Sequence, residues 1–146
     1  MSTHFIDTNI WLYRLFDDLR IESTERDRKR TIAIAITEKA NPIISTQVIN
    51  ELSSNLLKKA KFDEEQIKSV IQSLYNRCQV LEFNLTILEA ASNLRTQHYL
   101  SFWDSLIVAS ALSAGANILY SEDMQDGLIV ANQLTLINPF KTSNIQ

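Results

Sequence analysis

Residues 101–123 read SFWDSLIVASALSAGANILYSED, and this stretch decides the fold. Ser101 is an N-cap type, and the apolar run Leu106-Ile107-Val108 follows it within a few residues. Gly115 then supplies the left-handed residue that commonly closes a helix. Three residues later Ile118-Leu119-Tyr120 forms a short apolar strand, and the acids Glu122 and Asp123 stand directly behind it. A capped helix feeding a buried strand that ends on carboxylates is the repeating unit of an α/β sheet.

The same alternation extends in both directions. Phe5-Ile6 is a first strand ending on Asp7, followed by Ile10-Trp11-Leu12 and Leu15-Phe16 at helical spacing. Asn41-Pro42 breaks the next helix, and Ile43-Ile44 is a second strand before Ser45 and Thr46, both N-cap types. Val48, Ile49, Leu52 and Leu56 give the helix after it an apolar stripe. Another helix starts near Asp63, with Ile67, Val70, Ile71 and Leu74 on one face. Val80-Leu81-Glu82-Phe83 reads as a third strand, Ile87 to Leu94 as helix, and Leu134-Thr135-Leu136-Ile137 as a last strand closed by Asn138-Pro139. The expectation is a central parallel sheet of four to five short strands flanked by helices, in one domain over 1–140 with a short polar tail at 141–146.

Composition agrees with this plan. The chain has 146 residues, 45% hydrophobic and 21% charged, enough for one core without disulfides. With Gly 2 and Pro 2 there is little material for hairpin turns, which argues against an all-β architecture. Cys78 is the only cysteine, so neither an intrachain disulfide nor a thiolate zinc cluster can form, and its place at the head of an apolar strand marks it as core. The residues from Met1 to Asp7 lack the pattern of a signal peptide, and no apolar run is long enough to span a bilayer. A cytoplasmic protein is expected. The net charge of -3 runs against nucleic-acid binding unless the acids gather where a divalent cation neutralises them.

Where the acids fall is therefore the functional question. In an open parallel sheet ligands collect beyond the carboxyl ends of the strands. Asp7 and Asp123 follow strands directly, and Glu51 lies early in the helix after the second strand. Asp104 lies in the first turn of the helix that Ser101 caps. Carboxylates with no His or Cys among them suit Mg²⁺ or Mn²⁺. Each acid also has a plain structural role open to it. Asp7 can cap the helix behind it, Glu51 can face solvent, Asp104 can complete a capping box with Ser101, and Asp123 and Asp126 can belong to a turn.

Taken together, Phe5-Ile6-Asp7-Thr8-Asn9, Asn50-Glu51-Leu52, Phe102-Trp103-Asp104-Ser105-Leu106-Ile107 and Tyr120-Ser121-Glu122-Asp123-Met124-Gln125-Asp126-Gly127 stand in a fixed order. Ile137-Asn138-Pro139-Phe140 closes the series. This ordered set resembles the PIN-domain ribonucleases, particularly the VapC-like toxins of type II toxin–antitoxin pairs, and the likeness covers nearly the whole chain. The resemblance implies an endoribonuclease that hydrolyses RNA phosphodiester bonds and inhibits translation. Mg²⁺ or Mn²⁺ would be held by Asp7, Asp104 and Asp123, with Glu51 completing the catalytic acids. It implies support from Asn9, Ser121 and Asp126, with Asp126 ahead of Glu122. It implies hydrolysis by metal-activated water that leaves a 5′-phosphate and a 3′-hydroxyl, a cognate antitoxin protein, and a homodimer.

Other residues take lesser parts. His4 and His98 match no position of the pattern and read as bystanders. Arg26, Arg28, Lys29 and Arg30 are interleaved with Glu22, Glu25 and Asp27, the pattern of a salt-bridged exposed helix. Lys58, Lys59 and Lys61 form a cleaner basic patch that can grip RNA backbone or simply face solvent. Trp11, Leu12, Leu15 and Phe16 can serve a protein contact, although their helical spacing speaks for core packing. Alternative functions are an RNA-processing PIN nuclease without an antitoxin, a non-catalytic nucleic-acid or protein binding module, and a phosphatase using Asp7. The last lacks a second Asp two residues on, where Asn9 stands.

Overall fold

In the computed structural model, which describes residues 3–141, the strands are short and the helices carry most of the chain. Strand β1 spans His4–Ile6 and helix α1 Thr8–Leu15, with Asp7 between them as N-cap. Helix α2, Ser23–Thr37, is capped by the Glu22 carboxylate, and strand β2, Ile43–Ser45, leads directly into α3, Thr46–Lys59. Helix α4, Glu64–Arg77, opens on a full capping box between Asp63 and Gln66. Strand β3, Gln79–Leu81, is followed by α5, Leu85–Gln97, and α6, Phe102–Ser113. Strands β4, Ile118–Tyr120, β5, Ile129–Val130, and β6, Leu134–Ile137, complete the chain.

The six strands form one sheet in the order β3-β2-β1-β4-β6-β5. All neighbours are parallel except the β5–β6 pair. The chain runs from β1 outward to β2 and β3, then crosses back to lay β4 on the other side of β1. Strand order therefore reverses between β1 and β4, which pair Phe5 with Leu119 and Ile6 with Tyr120. A crevice opens beyond the carboxyl ends of strands that diverge in this way. It is floored by the residues that end β1 and β4.

Phe5, Ile6, Ile44 and Leu119 are wholly buried in the sheet, and Val48, Leu52 and Leu56 of α3 pack with them in one core. Helix α6 is buried from Ser105 to Ala111, which explains its nearly unbroken apolar run. It packs chiefly against α5, while α1 packs against α2 and α3. Among the described residues no helix is long and apolar enough to cross a membrane.

The α/β plan holds, with four departures from the sequence reading. The sheet has six strands rather than four or five, because β5 pairs antiparallel with β6. Its turn has no glycine: Ala131 and Asn132 take φ of 55° and 53°, and Gln133 N–H donates to the Val130 carbonyl at 3.1 Å. Two successive positive φ angles make a turn whose twist suits a hairpin. Strand β3 stops at Leu81, leaving Glu82 and Phe83 outside the ladder. Helix α5 starts at Leu85, because Asn84 accepts from Ile87 N–H at 2.9 Å. Ser45 holds the N-cap position of α3, but its hydroxyl makes no cap bond and is buried without a partner. The expected polar tail beyond Lys141 lies outside the described residues.

Candidate active site

Asp7 and Ser121 meet across the crevice between β1 and β4. The Asp7 backbone N–H donates to the Tyr120 carbonyl at 3.0 Å, extending the ladder by one residue. One Asp7 oxygen, Oδ1, accepts from Thr8 N–H at 2.8 Å, so the residue does cap α1. The other, Oδ2, accepts from Ser121 Oγ at 2.8 Å. Capping and site-building are therefore two uses of one carboxylate. With only 6% of the residue exposed, burial pushes the carboxyl up to about 7. The Ser121 and Thr8 hydrogen bonds work against that rise, and the negative charges of Glu51 and Asp104 add to it.

The remaining acids come from three other elements. Glu51, one turn into α3, is held at both oxygens: Thr8 Oγ1 donates to Oε1 at 2.7 Å and Gln47 Nε2 to Oε2 at 3.1 Å. Asp123 lies on the loop after β4, where Asn9 Nδ2 donates to its Oδ2 at 3.0 Å and its own N–H donates to Ser121 Oγ at 3.3 Å. Asn9 also accepts from Glu122 N–H at 3.1 Å, so one amide fixes the start of the loop. Asp104 N–H donates to Ser101 Oγ at 3.1 Å, which is the cap that the sequence suggested. That bond occupies the Asp104 backbone and leaves its carboxylate facing the cleft. Burial raises the Asp104 carboxyl, the Ser101 hydroxyl moderates it, and Asp123 and Glu51 raise it further.

These four acids, with Thr8, Asn9, Gln47 and Lys59 among their neighbours, line one cleft of about 430 Å³. Among the described residues no three acidic, His or Cys side chains are gathered closely enough to hold one ion between them. The acids ring the cleft rather than converge on a point. Such spacing suits a hard divalent cation that keeps several waters and binds one or two carboxylates directly, as Mg²⁺ does. An all-oxygen donor set in which burial, with mutual repulsion added, raises two carboxyl groups fits such an ion, whose positive charge would favour their ionised forms.

The other residues singled out in the sequence are distributed less evenly. Asp126 is not in the cleft; it is exposed, and its Oδ1 accepts from Asn138 N–H at 2.8 Å, pinning the segment after β6. Glu122 is taken up by an ion pair with Lys29 and by Tyr13 Oη, which donates at 2.6 Å. Lys29 thereby leaves the exposed basic run of α2 and ties that helix to the site rim, while Arg28 pairs with Glu25 and Arg30 with Asp17. Lys59 lines the cleft; Lys58 and Lys61 stand exposed outside it. Trp11 is core, with its Nε1 donating to the Ile6 carbonyl. His4 is buried, and burial together with Lys39 lowers its pKa. Burial pushes the Cys78 thiol up to about 11, so it is not a reactive thiolate. Trp103 is mostly exposed.

Sequence reasoning missed Thr8 and Gln47, the two residues that aim Glu51. Thr8 was visible only as the neighbour of Asp7, and its partner lies 43 positions away. Gln47 had a local signal, since it stands four residues before Glu51 on the same helix face.

Comparison with known proteins agrees with this fold. No curated protein sequence matches the chain significantly. Among solved structures, a chain of a toxin–antitoxin complex from Klebsiella pneumoniae superposes with a TM-score of 0.64 at 19% identity, covering 97% of this chain and 100% of that one. The VapC20 toxin of Mycobacterium tuberculosis, which cleaves the sarcin–ricin loop, gives a TM-score of 0.57 at 15% identity over 80% of this chain and 87% of its own. VapBC-1 from nontypeable Haemophilus influenzae gives 0.55 at 23% identity over 84% and 87%. At these identities the likeness is one of fold. The PIN domain family matches residues 4–125, the span that contains all four acids. The chain belongs to the PIN domain family.

Proposed function

We propose that this protein is a divalent-metal-dependent endoribonuclease, the toxin of a toxin–antitoxin pair that inhibits translation by cutting RNA. The observation that carries this reading is the single cleft ringed by Asp7, Glu51, Asp104 and Asp123 at the switch point of a parallel sheet. The toxin–antitoxin complexes among the similar folds support the biological role and a cognate antitoxin; a homodimer belongs to the same proposal. The domain is proposed to extend over residues 1–140.

Asp7, Asp104 and Asp123 would hold Mg²⁺ or Mn²⁺, one or two of them directly and the rest through the ion's waters, and the bound ion would supply an activated water and neutralise charge on a phosphodiester oxygen. The chain's own residues prepare for this. Ser121 and Thr8 fix both oxygens of Asp7, and Asn9 fixes Asp123, so these carboxylates need no reorganisation to bind a cation. Thr8 and Gln47 hold Glu51 on the far wall of the cleft, positioned to accept a proton from an attacking water. Lys59 offers a positive charge to the RNA backbone at the cleft edge. No side chain is required as a covalent nucleophile.

The test is direct. Purified protein should cut RNA in Mg²⁺ or Mn²⁺ and stop in chelator, and Asp7→Asn should abolish cutting while leaving the circular-dichroism spectrum unchanged. Cleavage that persists in chelator would overturn the reading.

A further inference from the structure

A second cavity, of about 470 Å³, adjoins the acid cleft between α3 and the start of α6. Its walls are Thr46, Gln47, Asn50, Glu51, Phe83 and Trp103, and Gln47 and Glu51 line both cavities. Two large aromatic rings stand open to solvent here, Trp103 at 58% and Phe83 at 36% exposure. Among the described residues no Lys or Arg lines it.

The Trp103 ring is braced rather than loose. It packs edge-on against Phe102, with centroids 5.1 Å apart and planes at 83°. The Arg95 guanidinium covers Phe102 at 4.6 Å and also donates to Ser105 Oγ at 2.7 Å. Ser105 Oγ in turn donates to the Phe102 carbonyl at 2.6 Å. Gln47 Nε2 reaches the Trp103 carbonyl at 3.3 Å while also holding Glu51. An exposed aromatic platform is thus locked in register with a catalytic carboxylate. Its neighbour in sequence is Asp104.

We propose that this cavity receives an unpaired nucleobase of the RNA strand beside the scissile phosphate, stacked on Trp103 and flanked by Phe83. The proposal rests on the ribonuclease reading of the adjoining cleft. A phosphate is the wrong occupant, because the cavity offers no cation and shares the Glu51 carboxylate. A base is neutral and flat, and its edge finds the Asn50 amide and the Thr46 hydroxyl, each able to donate and accept. Stacking on an exposed aromatic is the usual way proteins hold single-stranded RNA. With Lys59 on the acid cleft but not on this cavity, the site has a backbone end and a base end, which fixes how a strand lies across it.

The two tryptophans make the proposal measurable, since Trp11 is 1% exposed and only Trp103 is open to a collisional quencher. The full chain is titrated in chelator with a random-sequence single-stranded oligoribonucleotide and, separately, with an abasic ribose-phosphate oligomer of equal length. The expected result is that the RNA shields Trp103 from acrylamide and the abasic oligomer does not. Trp103→Ala should weaken RNA binding about 5- to 150-fold, the equivalent of losing one stacked base, while Trp103→Phe keeps most of it. Bound RNA that leaves Trp103 fully quenchable, or Trp103→Ala that binds as tightly as wild type, overturns the proposal. Shielding that rises with protein concentration alone also overturns it, by assigning the surface to a second copy of the chain. Metal-dependent RNA cleavage by wild type, scored in parallel, separates the two claims. If it is present without Trp103 shielding, only the base pocket fails. If RNA is neither bound nor cut, the ribonuclease reading fails first.

Discussion

Replacing Asp7 by Asn separates the energetic cost of the acid cluster from its chemistry. In the folded protein burial, with Glu51 and Asp104 adding to it, pushes the Asp7 carboxyl up to about 7, against an ordinary value of 3.8. Between those values the folded protein keeps a proton that the unfolded chain has released. Stability must therefore fall as pH rises through this window, with no penalty below 3.8 and the full penalty above 7. At about 1.4 kcal/mol per unit, the displacement amounts to roughly 4 kcal/mol in the absence of a cation. Asn has nearly the same shape and cannot ionise. Its carbonyl accepts from Thr8 N–H as Oδ1 does now, and its amide donates to Ser121 Oγ once that hydroxyl turns. Asp7→Asn should thus exceed wild type in stability by up to roughly 4 kcal/mol at pH 8 and match it within about 1 kcal/mol at pH 4. Urea unfolding in chelator at pH 4, 6 and 8 measures this as a midpoint shift at constant slope. Mg²⁺ or Mn²⁺ should then stabilise wild type and leave Asp7→Asn almost unmoved. A stability difference that does not grow with pH, or a variant less stable than wild type at pH 8, refutes the reasoning.

The neighbouring groups make separable contributions. Thr8→Val removes the 2.7 Å bond to Glu51 at little change in volume; the RNA-cleavage turnover should fall about tenfold, near 1.4 kcal/mol of barrier, and Thr8→Ser should restore it. Lys59→Ala should raise KM for RNA and reduce the slope of log affinity against log salt by about 1, with kcat changed less than about twofold. Lys29→Met strips the partly buried Glu122 of its cation and should cost about 1–3 kcal/mol in urea unfolding. Adding Glu122→Gln should recover most of that loss, a coupling that a double-mutant cycle reads directly.

How far the sequence could be read depended on whether each interaction was local. Caps and breaks such as Asp63, Ser101, Pro42 and Gly115 act within one turn, and the helices they bound lie where the pattern put them. Strand β5 carried no such signal: it is two residues long, and its turn uses Ala131 and Asn132 where a glycine would have been expected. The order of strand, helix and acid brought Asp7, Glu51 and Asp123 toward one sheet edge, while Asp104 and the grouping of all four rested on the resemblance to PIN domains. What their neighbours do was not legible. Glu122 is drawn to Lys29 from 93 positions away, and Asp126 is taken by the Asn138 backbone, so two acids that look alike in sequence both serve structure. The capping role first weighed for Asp7 proved compatible with a site role, since Asp7 uses one oxygen for each, whereas Asp104 is itself capped: its N–H donates to Ser101 Oγ and its carboxylate takes no part in the cap.

The most direct test of the central claim is the chemistry of the cut ends. Wild-type protein should be incubated with a labelled single-stranded RNA in Mg²⁺ or Mn²⁺, and the fragments assayed for phosphate at each terminus. Hydrolysis by water in the acid cleft predicts 5′-phosphate and 3′-hydroxyl ends, formed only with the cation and absent with Asp7→Asn. A 2′,3′-cyclic phosphate, or the same ends formed in chelator, would contradict it.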